Sequence, residues 1–214
     1  MAEDSHADLR DRLVDEAVKI IVEQGLTALR ARDLAARANC ALGMIYKLFP
    51  DLDAIVLAVN SRTLALLDVA IERVSADGDA KQATLASDPP EVMRLVQLAL
   101  AYFDFAAANK FRWRALFDRE MSAGHVIPDW HHAEHHRIFA RLEAPVRALF
   151  PAMDDATCVT LSRSLFSAVH GVVSLGLEEK LILIPLPVLR RQTALIAAAT
   201  SRGLSHMNLA HLGA

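Results

Sequence analysis

The sequence predicts an all-α fold, and three observations carry that expectation. Hydrophobic residues make up 53% of the 214 positions, with alanine and leucine dominant and the β-branched and aromatic types that favour strands comparatively few. Glycine and proline number 8 each, too few for a loop-rich sandwich, and the hydrophobic share is too high for a disordered chain. Apolar residues recur along most of the chain at the three- and four-residue steps of a helix with one buried face. A chain of this length supports a core without disulfides. It divides best into a small N-terminal domain over 1–52 and a larger one over 53–214.

The elements follow in order. Leu9, Leu13, Ala17, Ile20 and Ile21 mark helix one, which stops at Gly25, the residue best able to take a left-handed C-terminal conformation. A short second helix fits Ala31 to Ala38, and a third fits Leu42 to Leu48, with Asn39, Cys40 and Ala41 between them. Asp51 is a good N-cap for a long fourth helix whose stripe is Ile55, Val59, Leu66, Ala70 and Val74. The stretch 76–90 collects Gly, Pro, Asp and Ser and reads as an exposed loop. Further helical patterns lie near 90–108, 110–122, 128–150, 155–184 and 186–206.

With 23 basic and 26 acidic side chains the formal charge is −3, so no global field draws the chain to nucleic acid or to an anionic membrane. Any nucleic-acid binding must be local. Cys40 and Cys158 stand far apart with no CxxC pattern, which fits free thiols in a reducing cytoplasm. The acidic start, MAEDSHADLRDR, is unlike a signal peptide, and no 18-residue run is free of polar residues and proline. The expectation is a cytoplasmic protein without a membrane span.

Two short helices joined so tightly fit a helix-turn-helix, whose second helix enters the DNA major groove. The same spacing fits an ordinary helical subdomain, which on spacing alone is the commoner case. The residues shift that balance. Gly25-Leu26 after helix one, RDLAARA at 32–38 and LGMIYKLF at 42–49, with its Gly43, Ile45, Tyr46 and Phe49 spacing, resemble the tetracycline-repressor (TetR) family over roughly the first 60 residues. The resemblance implies a dimeric all-α transcriptional regulator, usually a repressor. It implies a variable C-terminal domain that binds a small-molecule effector, with palindromic double-stranded operator DNA as partner and no enzymatic activity or cofactor.

The chemistry of the matched positions agrees. Gly43 lacks a Cβ and lets its helix approach the phosphate backbone, while Leu42 and Met44 flank it within reach of thymine methyl groups. Arg30, Arg32, Tyr46 and Lys47 are the expected phosphate contacts, and Ile45 and Phe49 should pack inward. Between 26 and 50, Arg30, Arg32, Arg37 and Lys47 against Asp33 give a local charge of +3. Three positions depart from the family. Asn39-Cys40-Ala41 stands where Gly-Val-Ser is usual, Arg30 replaces a Ser or Thr cap on helix two, and Leu52 replaces a phosphate-contacting lysine. Each missing phosphate contact is expected to lower affinity and the salt slope, by roughly 0.9 per neutralised phosphate. Weaker or more apolar readout than the family norm follows.

Near the C-terminus, Val169-His170-Gly171 resembles a TetR subgroup with a Trp-His-Gly-like signature, without the tryptophan. Apolar residues surround that helix. Gly171, Gly176 and the run Leu195-Ile196-Ala197-Ala198-Ala199 predict a four-helix homodimer interface from 155 to 206. Intramolecular packing is the alternative use of the same residues. Phe103, Phe105, Phe111, Trp113, Phe117, Trp130 and Phe139 are aromatic at helical spacing, as core residues usually are. Phe103, Phe111, Trp113, Phe117 and Trp130, with His131, His135 and His170, are the candidates for lining an effector pocket.

The run from Trp130 to His136 holds two i, i+4 histidine pairs, His131 with His135 and His132 with His136. The stripe Ile138, Phe139, Leu142 and Val146 continued backward turns the first pair inward. Such a pair, with His125 or His170 nearby, is a candidate for holding a transition metal, although a metal site needs more ligands than spacing supplies. The competing function is therefore a helical-bundle metal-binding protein or metalloenzyme built on His131 and His135. Against it, the paired Glu-x-x-His motifs of carboxylate-bridged bundles are lacking, since Arg137 stands three places after Glu134, and no Gly-rich phosphate loop, nucleophile elbow or H-E-x-x-H is present.

Overall fold

The computed structural model describes residues 2–74, 78–117, 127–178 and 184–206, with side chains from His6 onward. Its described residues form ten α-helices and one 3-10 turn, with no strand. The chain groups into two compact units, Met1–Leu66 with Asn109–Glu134, and Leu67–Ala108 with His135–Ala214.

In the first unit, α1 (Ala2–Gln24) ends at Gly25, whose φ of 85° is open to glycine alone at little cost. A 3-10 turn, Leu26–Ala28, leads into α2 (Ala31–Arg37) and α3 (Leu42–Leu48). Asp51 Oδ1 accepts from the Ala54 amide at 2.8 Å and caps α4 (Leu52–Glu72). Leu13, Ile20 and Ile21 of α1, Leu34 of α2, Ile45 of α3, Phe49, and Ile55, Val56 and Val59 of α4 close on one another as a single core. The unit is completed by α7 (Lys110–Arg114), through Ala115 in that core, and by the start of α8 (Asp129–Leu149).

The second unit holds α5 (Gly78–Ala83), α6 (Pro90–Ala108), the later part of α8, α9 (Asp155–Leu177) and α10 (Leu186–Ser205). Ala80 and Ala83 meet Val96, Ala99 and Leu100 of α6 and Ala194, Ala197 and Ala198 of α10, small side chains that let these helices lie close. Leu95, Val146, Cys158, Leu161 and Leu165 form a second cluster.

Several expectations change. The stretch 76–90 is not a plain loop. Alanine propensity and one buried face, formed by Ala80 and Ala83, make 78–83 a helix, with Ala80 fully buried. Arg190 pins it by bonding Asp79 and Asp104, each at 2.8 Å, and Arg202 bonds Asp88 at 2.7 Å. The helix expected over 110–122 ends at Arg114 and gives way to a turn, and 118–126 lie outside the described residues. The helix expected over 155–184 ends at Leu177, where Glu178 turns extended. Ala197 and Ala198 of the supposed partner surface face inward, leaving Leu195, Ile196 and Ala199 exposed. The helix around His170 is covered on one side only, with Thr160, Arg163, Ser164, Ser167, Ala168 and Leu175 exposed on the other.

Candidate nucleic-acid interface

The reading head is set by its turn. Leu34 and Ala35 bury α2, Ala38 N donates to Leu34 O at 2.9 Å, and Asn39 then takes φ 51°. Asparagine is among the few non-glycine residues that tolerate this left-handed region. Its presence explains how the chain turns without the glycine usual there. Cys40 N donates back to Ala35 O at 3.0 Å, and Ala41 leads into α3 with φ −70° and ψ 143°. That is N-cap geometry, but neither Arg30 before α2 nor Ala41 before α3 supplies a side-chain cap.

Ile45 and Phe49 are buried, which turns the opposite side of α3 outward. Leu42, Gly43, Tyr46 and Lys47 are exposed, and Tyr46 presents 53% of its surface. A Cβ on Gly43 would meet nothing within 4 Å, so the backbone is open to a ligand there. Met44 is half-buried against the core, and Arg30 and Arg32 are exposed. Arg37 pairs with Glu23 at 3.0 Å and adds little free charge. The Arg10 guanidinium stacks 4.7 Å over the Phe49 ring and steadies the end of α3 from α1. Leu52 packs partly buried against the core. This outward α3 face, with an apolar edge, an open glycine, a hydroxyl and an ammonium, is suited to a groove flanked by phosphates.

The pocket candidates fall in both units. In the first, Trp113 is buried with Phe117 edge-on at 5.6 Å, while Phe111 and Phe117 are largely exposed. Phe111 sits 3.4 Å from the place a Cβ on Gly25 would take. Trp130 is exposed and lies edge-on to the buried His131 at 5.4 Å. His131 Nδ1 lies 3.7 Å from Glu134 Oε2, and Glu134 Oε1 accepts from Ser61 Oγ at 2.5 Å. In the second unit Phe103 is buried and His135 half-buried. There the Tyr102 hydroxyl and His170 Nδ1 are 2.7 Å apart. His170 stacks on Phe166, which meets Phe139 edge-on at 5.2 Å. Burial pushes the His170 pKa down and favours the neutral ring.

The histidine run splits as its period predicts, with His131 and His135 inward and His132 and His136 exposed. Among the described residues no three His, Cys, Asp or Glu side chains converge on a metal position. His125 lies outside the described residues. Sequence reasoning passed over Asn60, Thr63, Arg112 and Tyr102. The signal for the first two was present in the polar block Asn60-Ser61-Arg62-Thr63 inside an apolar helix.

An N-terminal helix-turn-helix head followed by an all-helical C-terminal part defines a class of DNA-binding regulator. Two family models match the chain, "Bacterial regulatory proteins, tetR family" over 13–59 and "Tetracyclin repressor-like, C-terminal domain" over 95–199. The chain belongs to the TetR family of transcriptional regulators. Solved structures share its fold. A Rhodococcus sp. RHA1 protein of unknown function is 22% identical with TM-score 0.66, over 92% of this chain and 96% of that one. A tetR-family transcriptional regulator from Streptomyces coelicolor is 18% identical with TM-score 0.62, over 97% and 86%. RolR in complex with resorcinol is 16% identical with TM-score 0.60, over 95% and 96%. No curated protein matches.

Proposed function

We propose that this chain is a cytoplasmic, homodimeric repressor that binds palindromic operator DNA through α3 and is controlled by a small molecule bound in its larger domain. The carrying observation is the two-sided α3, with Ile45 and Phe49 buried behind it and Leu42, Gly43, Tyr46 and Lys47 exposed in front. In this reading Arg30, Arg32, Tyr46 and Lys47 hold phosphates, and Leu42 and Met44 meet base edges, Leu42 with the freer side chain. Residues 1–52 act as the head and 53–214 as the effector and dimer part.

The exposed face of α9 and the Leu195, Ile196 and Ala199 edge of α10 support an isologous four-helix dimer. The apolar stretch of α9 has a mean hydropathy of 1.3, yet only 28% of it is buried within the chain. The two glycines divide their work. A Cβ on Gly176 would collide with the Leu189 side chain, whereas one on Gly171 meets nothing within 4 Å and leaves room for a second subunit.

For the effector, Phe103, His135 and His170 are the proposed contacts within the second unit, and Phe111, Trp113, Phe117, Trp130 and His131 are a separate candidate set within the first. RolR, of like fold, was solved with resorcinol, which supports a small aromatic or phenolic class. Val169-His170-Gly171 supports placing the chain beside the Trp-His-Gly-type subgroup. Binding that favours a conformation with mismatched heads would release DNA. The test is retention of sheared source-genome DNA on the purified protein, followed by sequencing. Enrichment of a few palindromic sites is expected, and uniform retention or none would refute the reading.

A further inference from the structure

The polar block of α4 stitches it to α7. Asn60 Nδ2 donates to Ala115 O at 3.2 Å, and Arg112 Nε donates to Thr63 Oγ1 at 2.9 Å. The Thr63 hydroxyl in turn donates to Val59 O at 2.9 Å. Asn60 and Thr63 stand one turn apart, and their partners follow in reverse order, so the two segments run antiparallel here. Arg62 is turned elsewhere, to Asp11 and Asp15.

This leaves Arg112 in an unusual position. Arg112 is half-buried, and among the described residues its one acceptor is the neutral Thr63 hydroxyl, with no carboxylate beside it. Burial and the nearby positive charge of Arg62 both lower its pKa, so the surroundings disfavour the cation. A desolvated charge without a counter-ion is costly. Nε is occupied, and the two Nη groups remain as an end-on fork whose spacing matches the two oxygens of a carboxylate. One turn away, Asn60 is 6% exposed and its buried Oδ1 has no hydrogen-bond partner among the described residues. That oxygen suits a hydroxyl or amine on the same ligand.

We propose that Arg112 is the anchor of a binding site for a carboxylate-bearing small molecule, with Asn60 Oδ1 accepting a hydrogen bond from it. The site lies on the reading-head unit, because Ala115, three residues on, belongs to the head core and Phe111 abuts Gly25 at the end of α1. A ligand that pulls on Arg112 acts on Thr63 and, through one turn of α4, on Val59 in the same core. That this acts on DNA rests on the regulator reading above. The site itself does not.

The experiment is thermal denaturation of the full chain and of Arg112→Met, alone and with aromatic and aliphatic monocarboxylates, hydroxyl-bearing ones included, their primary amides, and inorganic phosphate. Carboxylates should raise the wild-type Tm while amides and phosphate leave it unchanged. Arg112→Met should lose the response, with affinity at least roughly tenfold weaker by titration calorimetry. Because the unpaired cation is costly, ligand-free Arg112→Met should melt at or above the wild type. The proposal is overturned if no carboxylate shifts wild type, if amides or phosphate act equally, or if Arg112→Met keeps the shift. A lower Tm for ligand-free Arg112→Met would make the residue a strut to Thr63 and overturn it too. Retention of genomic DNA by both proteins is measured separately. Failure there alone removes the regulator reading, and failure of the carboxylate arm alone removes the site.

Discussion

Ala41 opens α3 with N-cap backbone angles, φ −70° and ψ 143°, and brings no side-chain acceptor. Ala41→Ser adds a hydroxyl at an exposed position, so no repacking opposes it. The serine oxygen can accept from the amide of Gly43, since the Met44 amide already donates to Ala41 O at 2.9 Å, and such a cap is worth about 1 kcal/mol. For a chain of this size that raises Tm by about 2–4 °C. On DNA the hydroxyl can donate to a phosphate, and a hydrogen bond to a charged group of about 1.5 kcal/mol strengthens each half-site roughly tenfold. The salt slope should stay unchanged, because no cation is added. Ala41→Gly is the control. It recovers most of the N-cap stability but offers no hydroxyl, so its Tm should rise without a gain on DNA. Thermal unfolding and fluorescence anisotropy on a genomic fragment retained by the protein measure the two effects. A serine variant without a Tm gain would show that the α3 terminus is already satisfied. A Tm gain without tighter binding would show that Ala41 does not face phosphates.

Other expectations follow from particular contacts. Lys47→Ala should weaken binding about uniformly across sequences and reduce the salt slope by roughly 1 in anisotropy titrations, and an unchanged slope would remove Lys47 from the phosphate contacts. Gly25 sits at φ 85° and ψ 169°, a region nearly closed to other residues, and the Phe111 ring lies 3.4 Å from where an alanine methyl would stand. Gly25→Ala should therefore cost about 1–3 kcal/mol in denaturant unfolding. The Arg202 guanidinium holds the Asp88 carboxyl down from 3.8 to about 2. A carboxylate pKa lowered by folding stabilises above its unfolded value and ceases to do so as pH falls through the folded one. Wild type should exceed Asp88→Asn by about 1–2 kcal/mol at neutral pH, and the gap should close between pH 3.8 and about 2.

The reading head was legible because its signals are local. Gly25 ends α1, Ala31 to Arg37 and Leu42 to Leu48 carry short apolar periods, and Ile45 and Phe49 can only face inward if Tyr46 and Lys47 face out. Asn39 read as a departure from the family, yet its side chain is one of the few that keep the turn. The 78–83 helix was missed because flanking Gly, Asp and Pro look like a loop, while its stability comes from α6, α10 and the Arg190 clasp, which are distant in sequence. The inward turn of His131 followed from periodicity, but its neighbour Ser61-Glu134 did not, since 73 residues separate that pair. Arg112 was illegible for the same reason. A guanidinium is notable only once it is known to have no carboxylate neighbour among the described residues.

The central claim is that the outward face of α3, presented twice by a symmetric dimer, reads operator DNA. Hydroxyl-radical footprinting of a duplex recovered from the source genome tests it most directly. Two equivalent protected patches should appear, separated by about one helical turn of DNA or a multiple of it, and should weaken together in Lys47→Ala. A single protected patch, or symmetric protection unaffected by Lys47→Ala, would contradict it.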